Sequence, residues 1–150
     1  MAASKFLARD LTIQVEDVTP NDWIAIDGLN SLTHSPSISR ADTTDFGSNG
    51  RAEHIVSQRA ESWALAGFTI IDVGSGERDA GQARCEVLGL ARGLGALGRF
   101  KITDPGGNTI TFDGSCEVTL HGGGHNDPAA WKCGIEVSGE PDFAGPELSS

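Results

Sequence analysis

Basic side chains are scarce in this chain. Eleven Lys and Arg stand against 21 Asp and Glu, so the 150 residues carry a formal net charge of −10. Non-specific grip on DNA or RNA comes from cationic contacts that release counterions, and anionic lipid surfaces select for cations in the same way. Nucleic-acid binding and peripheral membrane attachment are both disfavoured. Cysteine is scarce too: Cys85, Cys116 and Cys133 make an odd count with no CxxC spacing. That argues against a disulfide framework and suits synthesis in a reducing cytoplasm. Cys116 and Cys133 alternate with polar residues and read as small buried apolar groups. Long apolar runs are missing. Lys5, Arg9 and Asp10 interrupt the opening MAASKFLARDLTIQV, which does not read as a signal peptide, and no stretch is long enough to span a bilayer. Tyr is absent and Met occurs once, which excludes no class of protein.

The length suits one domain, residues 1–150. Hydrophobic residues make up 38% and Gly numbers 20, enough apolar content to fold, with many turns rather than long helices. Leu11, Ile13 and Val15 alternate with Thr12, Gln14 and Glu16, the pattern of a half-buried strand. Thr19-Pro20-Asn21-Asp22 is turn chemistry. Trp23 to Ile26 restarts a strand that stops at Asp27-Gly28. Residues 62–71, SWALAGFTII, form a second strong strand, with Gly67 a bulge or a point of close packing. Asp79 is the expected N-cap of one helix over about residues 79–95, with Ala80, Ala83, Val87, Ala91 and Leu94 as its apolar stripe, Leu88 widening it, and Gln82, Arg84, Glu86 and Arg92 on other faces. The C-terminal third reads as a meander: Phe100 and Ile102, then a type II turn at Asp104-Pro105-Gly106-Gly107-Asn108. Cys116, Val118 and Leu120 follow as one inward row, and Trp131, Cys133, Ile135 and Val137 as another.

Residues 30–52 stand apart. Rich in Ser, Thr, Asn, Asp and Gly, they show no sustained period and are too long for an ordinary connection. Leu32, Ile38 and Phe46 are apolar anchors on which such a loop could dock against a partner. The ends, about 1–8 and 140–150, are polar and expected to be flexible. The fold class is therefore α+β, mainly β, with one helix against a sheet face.

No catalytic constellation emerges. Gly93 to Gly98 matches GxGxxG, but a helix precedes it and a strand follows, the reverse of the order that presents free N–H groups to a dinucleotide. His121-Gly122-Gly123-Gly124-His125 lacks a GxSxG partner, and three glycines oppose the helix that would put both imidazoles on one face of a metal. Asp72 to Asp79 lacks the alternating ligands of a calcium loop. Catalytic residues, cofactor and metal are all read as none.

Three stretches carry a resemblance. WIAIDGLNS at 23–31 leads to ADTTDFGSNGRAEHIVSQRAESWALAGF at 41–68. GERDAGQARCEVLGLARGLG follows at 76–95, and FKITDPGGNTITFDGSCEVTLHGGGHNDPAAWKCGIEVSGEP at 100–141. In order and texture, over about residues 10–141, the chain resembles the major tail tube proteins of long-tailed, non-contractile bacteriophages, particularly those of actinobacteria. The resemblance implies a β-sandwich or barrel flanked by one helix, without an active site. It implies hexameric rings, joined edge to edge through their sheets and stacked into a tube through which the genome passes. It makes 30–52 the loop that reaches the neighbouring ring, and the other tail proteins (tape measure, tail terminator, distal tail) the remaining partners. It places the protein in the virion tail after synthesis in the host cytoplasm. Six copies at −10 would carry about −60 per ring, and an acidic bore offers DNA no cationic contacts. Glu117, Thr119 and Glu136, on the polar side of their strands, are the candidate bore-lining residues. The competing readings are a tail terminator or head decoration protein, and an Ig-like surface binding module.

Overall fold

The computed structural model describes residues 5–45, 47, 49–122 and 124–144. Its strands are β1 (Thr12–Glu16), β2 (Trp23–Ala25), β3 (Leu29–Asp42), β4 (His54–Phe68), β5 (Leu97–Thr103), β6 (Thr109–Gly122) and β7 (Ala130–Ala144), with one helix, α1 (Ala80–Leu90), between β4 and β5. All pairs are antiparallel, in the order β2-β1-β5-β6-β7-β4-β3.

That order forces curvature. β2 and β3 occupy opposite edges, yet only Ile26, Asp27 and Gly28 separate them in the chain. Laid flat, seven strands at ~4.8 Å spacing would put the edges about 29 Å apart, whereas four residue steps reach at most ~14 Å. The sheet therefore curls until its two edges approach within reach of the connector, which spans the seam between them. Ile26 N donates to Ile13 O of β1 at 2.9 Å, and Phe68 N of β4 donates to Gly28 O at 2.9 Å. At Gly67, β4 comes close to the connector and the start of β3: a Cβ there would collide with Gly28 O and Leu29 Cα. This is the close packing expected at Gly67, and the β3–β4 register shifts between Leu29 and Ser31 beside it.

Strand alternation sets the core. Ile13 and Val15, Phe100 and Ile102, Phe112, Trp131, Cys133 and Ile135, Trp63 and Leu65 share the inner face and are buried. The helix lies against the same cluster through Cys85 and Leu88. Thr12, Gln14, Lys101, Glu117 and Lys132 take the other face.

Four expectations change. The helix is capped as read, Asp79 accepting from Gln82 N at 3.1 Å, but it ends at Leu90 and a 3-10 turn covers Gly93–Ala96. Its buried side is Gly81, Gln82, Cys85 and Leu88, while Val87 is 59% exposed. The stripe is rotated because Gly81 permits close approach, a Cβ there striking Ala25 O, and Gln82 is buried beside it. The turn at 104–108 is not type II. Gly107, not Gly106, has positive φ (90°), and Gly107 N bonds Asp104 O at 3.1 Å, a type I turn followed by a left-handed glycine. The stretch 140–144 is not a flexible tail but the end of β7, paired with β6 through Thr109↔Ala144.

The largest change concerns 30–52. Most of it is strand: β3 pairs with β4 from Leu29↔Gly67 to Asp42↔His54. It escapes periodicity because its outer half is wet on both faces, so no apolar alternation is needed. Pro36 is tolerated because β3 is an edge strand.

Candidate functional site: the arm and the polar sheet face

β4 pairs with β7 only from Ser62 to Phe68. Beyond Ser62 it pairs with β3 alone, so Pro36–Asp42 and His54–Glu61 form a two-stranded arm that leaves the barrel. Its side chains are exposed except for Glu61 at the root, which is half-buried. A ribbon of two strands is marginal in water without something to pack on, and between Leu29 and Ile38 only Pro36 interrupts the free edge of β3.

The arm's root is rigid. His34 stacks on Trp63 with centroids 4.3 Å apart, Trp63 lies 6.0 Å from Phe112, and Phe112 lies 5.8 Å from Phe100. This aromatic row runs from the core into the arm, and His34 Nε2 also meets Glu61 Oε2 at 2.7 Å. These contacts tie the root of the arm to the core.

Of the three loop anchors, Leu32 is half-buried against the core, in the barrel wall rather than on the arm. Ile38 stands on the arm, 37% exposed. Phe46 lies outside the described residues. Sequence reasoning missed Ile55 and Val56, 59% and 43% exposed; two adjacent β-branched apolar residues inside a polar stretch were the available signal. Ile38↔Arg59 and Arg40↔Val56 are register partners, so these four side chains share one arm face, that of His34 and Trp63. Beside them, the arm and the end of β7 enclose an open groove of about 920 Å³ with Val56, Arg59, Val137, Pro141 and Phe143 on its walls.

The bore-lining candidates come together. Glu117 and Thr119 are two apart on β6, opposite Gly134 and Lys132, and Glu136 is opposite Ser115. All three are exposed on the outer face. That face also carries Lys132, Lys101 and Arg99, the last bonded to Glu16 at 3.1 Å and lying over Trp23 together with Lys101, so its charge is mixed.

Titratable groups offer little chemistry. Cys116 Sγ donates to Cys85 O at 3.2 Å. Its thiol is pushed up by a hydrogen bond with Cys133 and by burial. Cys133 is lowered by its bond with Cys116 but raised further by Cys85 and by burial. Thiols held protonated make poor nucleophiles. Among the described residues no three His, Cys, Asp or Glu side chains group as metal ligands.

A curled antiparallel sheet with a helix on its inner face and an edge hairpin extended into an arm defines the class of fold, and chains of similar fold occur in a gene transfer agent and in a contractile injection system. The chain is similar to one in the virion of a native gene transfer agent, at 17% identity and TM-score 0.72, covering 94% of this chain and all of that one. It is similar to one in the tail of an empty gene transfer agent particle refined helically with C6 symmetry, at 18% identity and TM-score 0.72 over the same shares. A chain of an extracellular contractile injection system's sheath–tube complex in the extended state matches at 12% identity and TM-score 0.59, covering 95% of this chain and 93% of that one. No protein-family model and no curated relative matches the sequence.

Proposed function

We propose that this chain is a structural subunit of a phage-like tail tube, of the long-tailed non-contractile type, and that it performs no catalysis. Copies form hexameric rings in the virion tail, and the arm of each copy reaches the next ring. The observation that carries the reading is the arm itself: an exposed two-stranded ribbon, tied to the core at its root by the His34–Trp63 stack, is complete only against a partner. The likeness to gene transfer agent tail chains over 94% of the chain supports the same reading. Lateral contacts join strand edges, and tape measure, terminator and distal tail proteins bound the tube at its interior and ends.

In this reading Glu117, Thr119 and Glu136 face the bore, where carboxylates without a dense cationic lining let DNA slide without being held. The mixed charge of that face makes the sum over the ring decisive, and we expect it to be negative.

Negative-stain microscopy of concentrated purified protein tests the role. Hollow tubes of uniform width are expected, and protein that stays monomeric at every concentration would overturn the reading. Residues 36–61 can be replaced by an Asn-Gly turn joining the paired residues Ser35 and Ser62. That variant should fold as a monomer and form no tubes; tubes assembled by it would remove the arm from the account.

A further inference from the structure

Antiparallel connectivity gives the barrel two rims. The arm rises from the rim that also bears the 104–108 turn and the end of β7, while the opposite rim bears residues 17–22 and 69–79. From this second rim a short knob projects. Asp72 N donates to Glu77 O at 2.8 Å, Gly76 N donates to Asp72 O at 2.6 Å, and Ile71 bridges to Arg78. Gly76, at φ 77°, supplies the left-handed residue this tight turn needs. The knob is thus held by its own hydrogen bonds, yet its apex is apolar: Val73 is 90% exposed, and Ile71 is exposed beside it. Asp72 and Glu77 flank that apex, whereas Arg78 is turned to Glu86.

The groove at the first rim has the opposite relief. Val56, Val137, Pro141 and Phe143 give it apolar walls. Arg59 lines the arm side, and Arg40 shares that strand face with it. Of the carboxylates lining it, Glu61 is engaged by His34 at 2.7 Å and Glu140 stands on the far wall.

We propose that the Ile71–Val73 knob of one protomer seats in the arm groove of a second copy of this chain, with Glu77 against Arg59. The inference rests on the tube reading and deepens it by naming the surface the arm meets. The two surfaces match in relief and both are apolar at the centre. Carboxylates edge one and Arg59 lines the arm side of the other, the charge complementarity that fixes register between partners. They lie on opposite rims of one molecule, so the contact is heterologous and leaves a fresh knob and a fresh groove after each addition, the condition for growth along an axis. Any other partner would have to supply such a knob; a second copy already does.

Assembly of the full chain, followed by sedimentation and negative-stain microscopy with circular dichroism to verify folding, tests this. Val73→Asp should raise the concentration needed for tubes by at least about tenfold, the effect of losing a central apolar contact. Arg59→Glu should do the same, and Arg59→Glu combined with Glu77→Arg should recover assembly. If either folded single variant assembles at the wild-type concentration, the knob is not in the groove. If the folded double variant shows no recovery, the Arg59–Glu77 contact is refuted. Wild-type protein that never assembles brings down the tube reading itself, an outcome separate from both.

Discussion

Gln82 Nε2 donates to the carbonyl oxygen of Phe68 at 2.8 Å, tying the first turn of α1 to the last residue of β4. The same amide donates to Asp27 O at 3.0 Å, and its Oε1 accepts from Ile70 N at 3.1 Å. One fully buried side chain thereby satisfies three backbone groups that the ending of β4 and the connector leave unpaired. Asp79, three residues earlier, caps the helix and accepts from Asp27 N at 3.3 Å. The seam of the barrel is thus closed by helix side chains rather than by a strand ladder.

Replacing Gln82 with Leu keeps the volume and removes the hydrogen bonds. Ile70 N–H and two carbonyls would lose their partner in a part-buried setting, at a cost of about 3 kcal/mol. Urea unfolding should show a lower midpoint with an unchanged slope, and an unchanged midpoint would mean that water takes over the role.

Glycine positions should divide sharply. Gly67→Ala drives a methyl into Gly28 O and Leu29 Cα, so the seam must open, at a cost on the order of 3 kcal/mol. A methyl at Gly134 meets nothing within 4 Å, and Gly134→Ala should be neutral or slightly stabilising. Thermal denaturation of the pair checks this; equal midpoints would contradict the close approach.

The carboxyl of Asp27 is raised above 3.8, by burial first and then by the charge and hydrogen bond of Asp79. A raised acid binds its proton more tightly in the folded chain. Its contribution is fully present below the unfolded value and is lost as pH rises through the folded one. Asp27→Asn should therefore melt higher than the wild type at pH 7, with the gap closing toward pH 3. Asp104 runs the other way: the Asn108 amide holds its carboxyl low, so its contribution is present above 3.8 and fades as acid titrates it. A gap for Asp27→Asn that widens on acidification would reverse the assignment.

The thiols should be inert in the folded protein. Cys85 and Cys133 are buried, and the Cys116 and Cys133 thiols are both pushed up. Iodoacetamide at pH 8 should leave all three unmodified over the time in which denatured protein reacts fully, read by intact mass. Rapid native labelling would show that the helix lifts off its sheet.

Hexamer geometry aside, the bore assignment can be probed by charge. Glu117→Lys with Glu136→Lys replaces two negative charges with two positive ones on one face of each copy. Assembled tubes of this variant should retain DNA at low salt and release it with rising salt; tubes indifferent to DNA would place that face outside.

Much of this was legible without coordinates. The alternations at Leu11–Val15, Phe100–Ile102 and Trp131–Val137 became the inner rows of β1, β5 and β7, because period-two burial is a local property of one strand. Asp79 announced its helix because capping needs only the next three residues. The arm was not legible as strand, although 30–52 was singled out and Ile38 named within it. A ribbon exposed on both faces leaves no apolar period, and its pairing partner at 54–61 is recognised only through the ladder.

The amino-acid order alone determined which residues are apolar, where the chain turns, that most of it is strand, and that its charge is acidic. Those depend on neighbours within a few positions. The tertiary structure alone decided that the sheet curls so that a three-residue connector spans its two edges, that Gln82 is a buried clamp, that the helix turns Cys85 inward and Val87 outward, and that Ile71–Val73 and Val56 lie on opposite rims. Each of these depends on contacts between residues far apart in the chain, and only the closed sheet makes them neighbours.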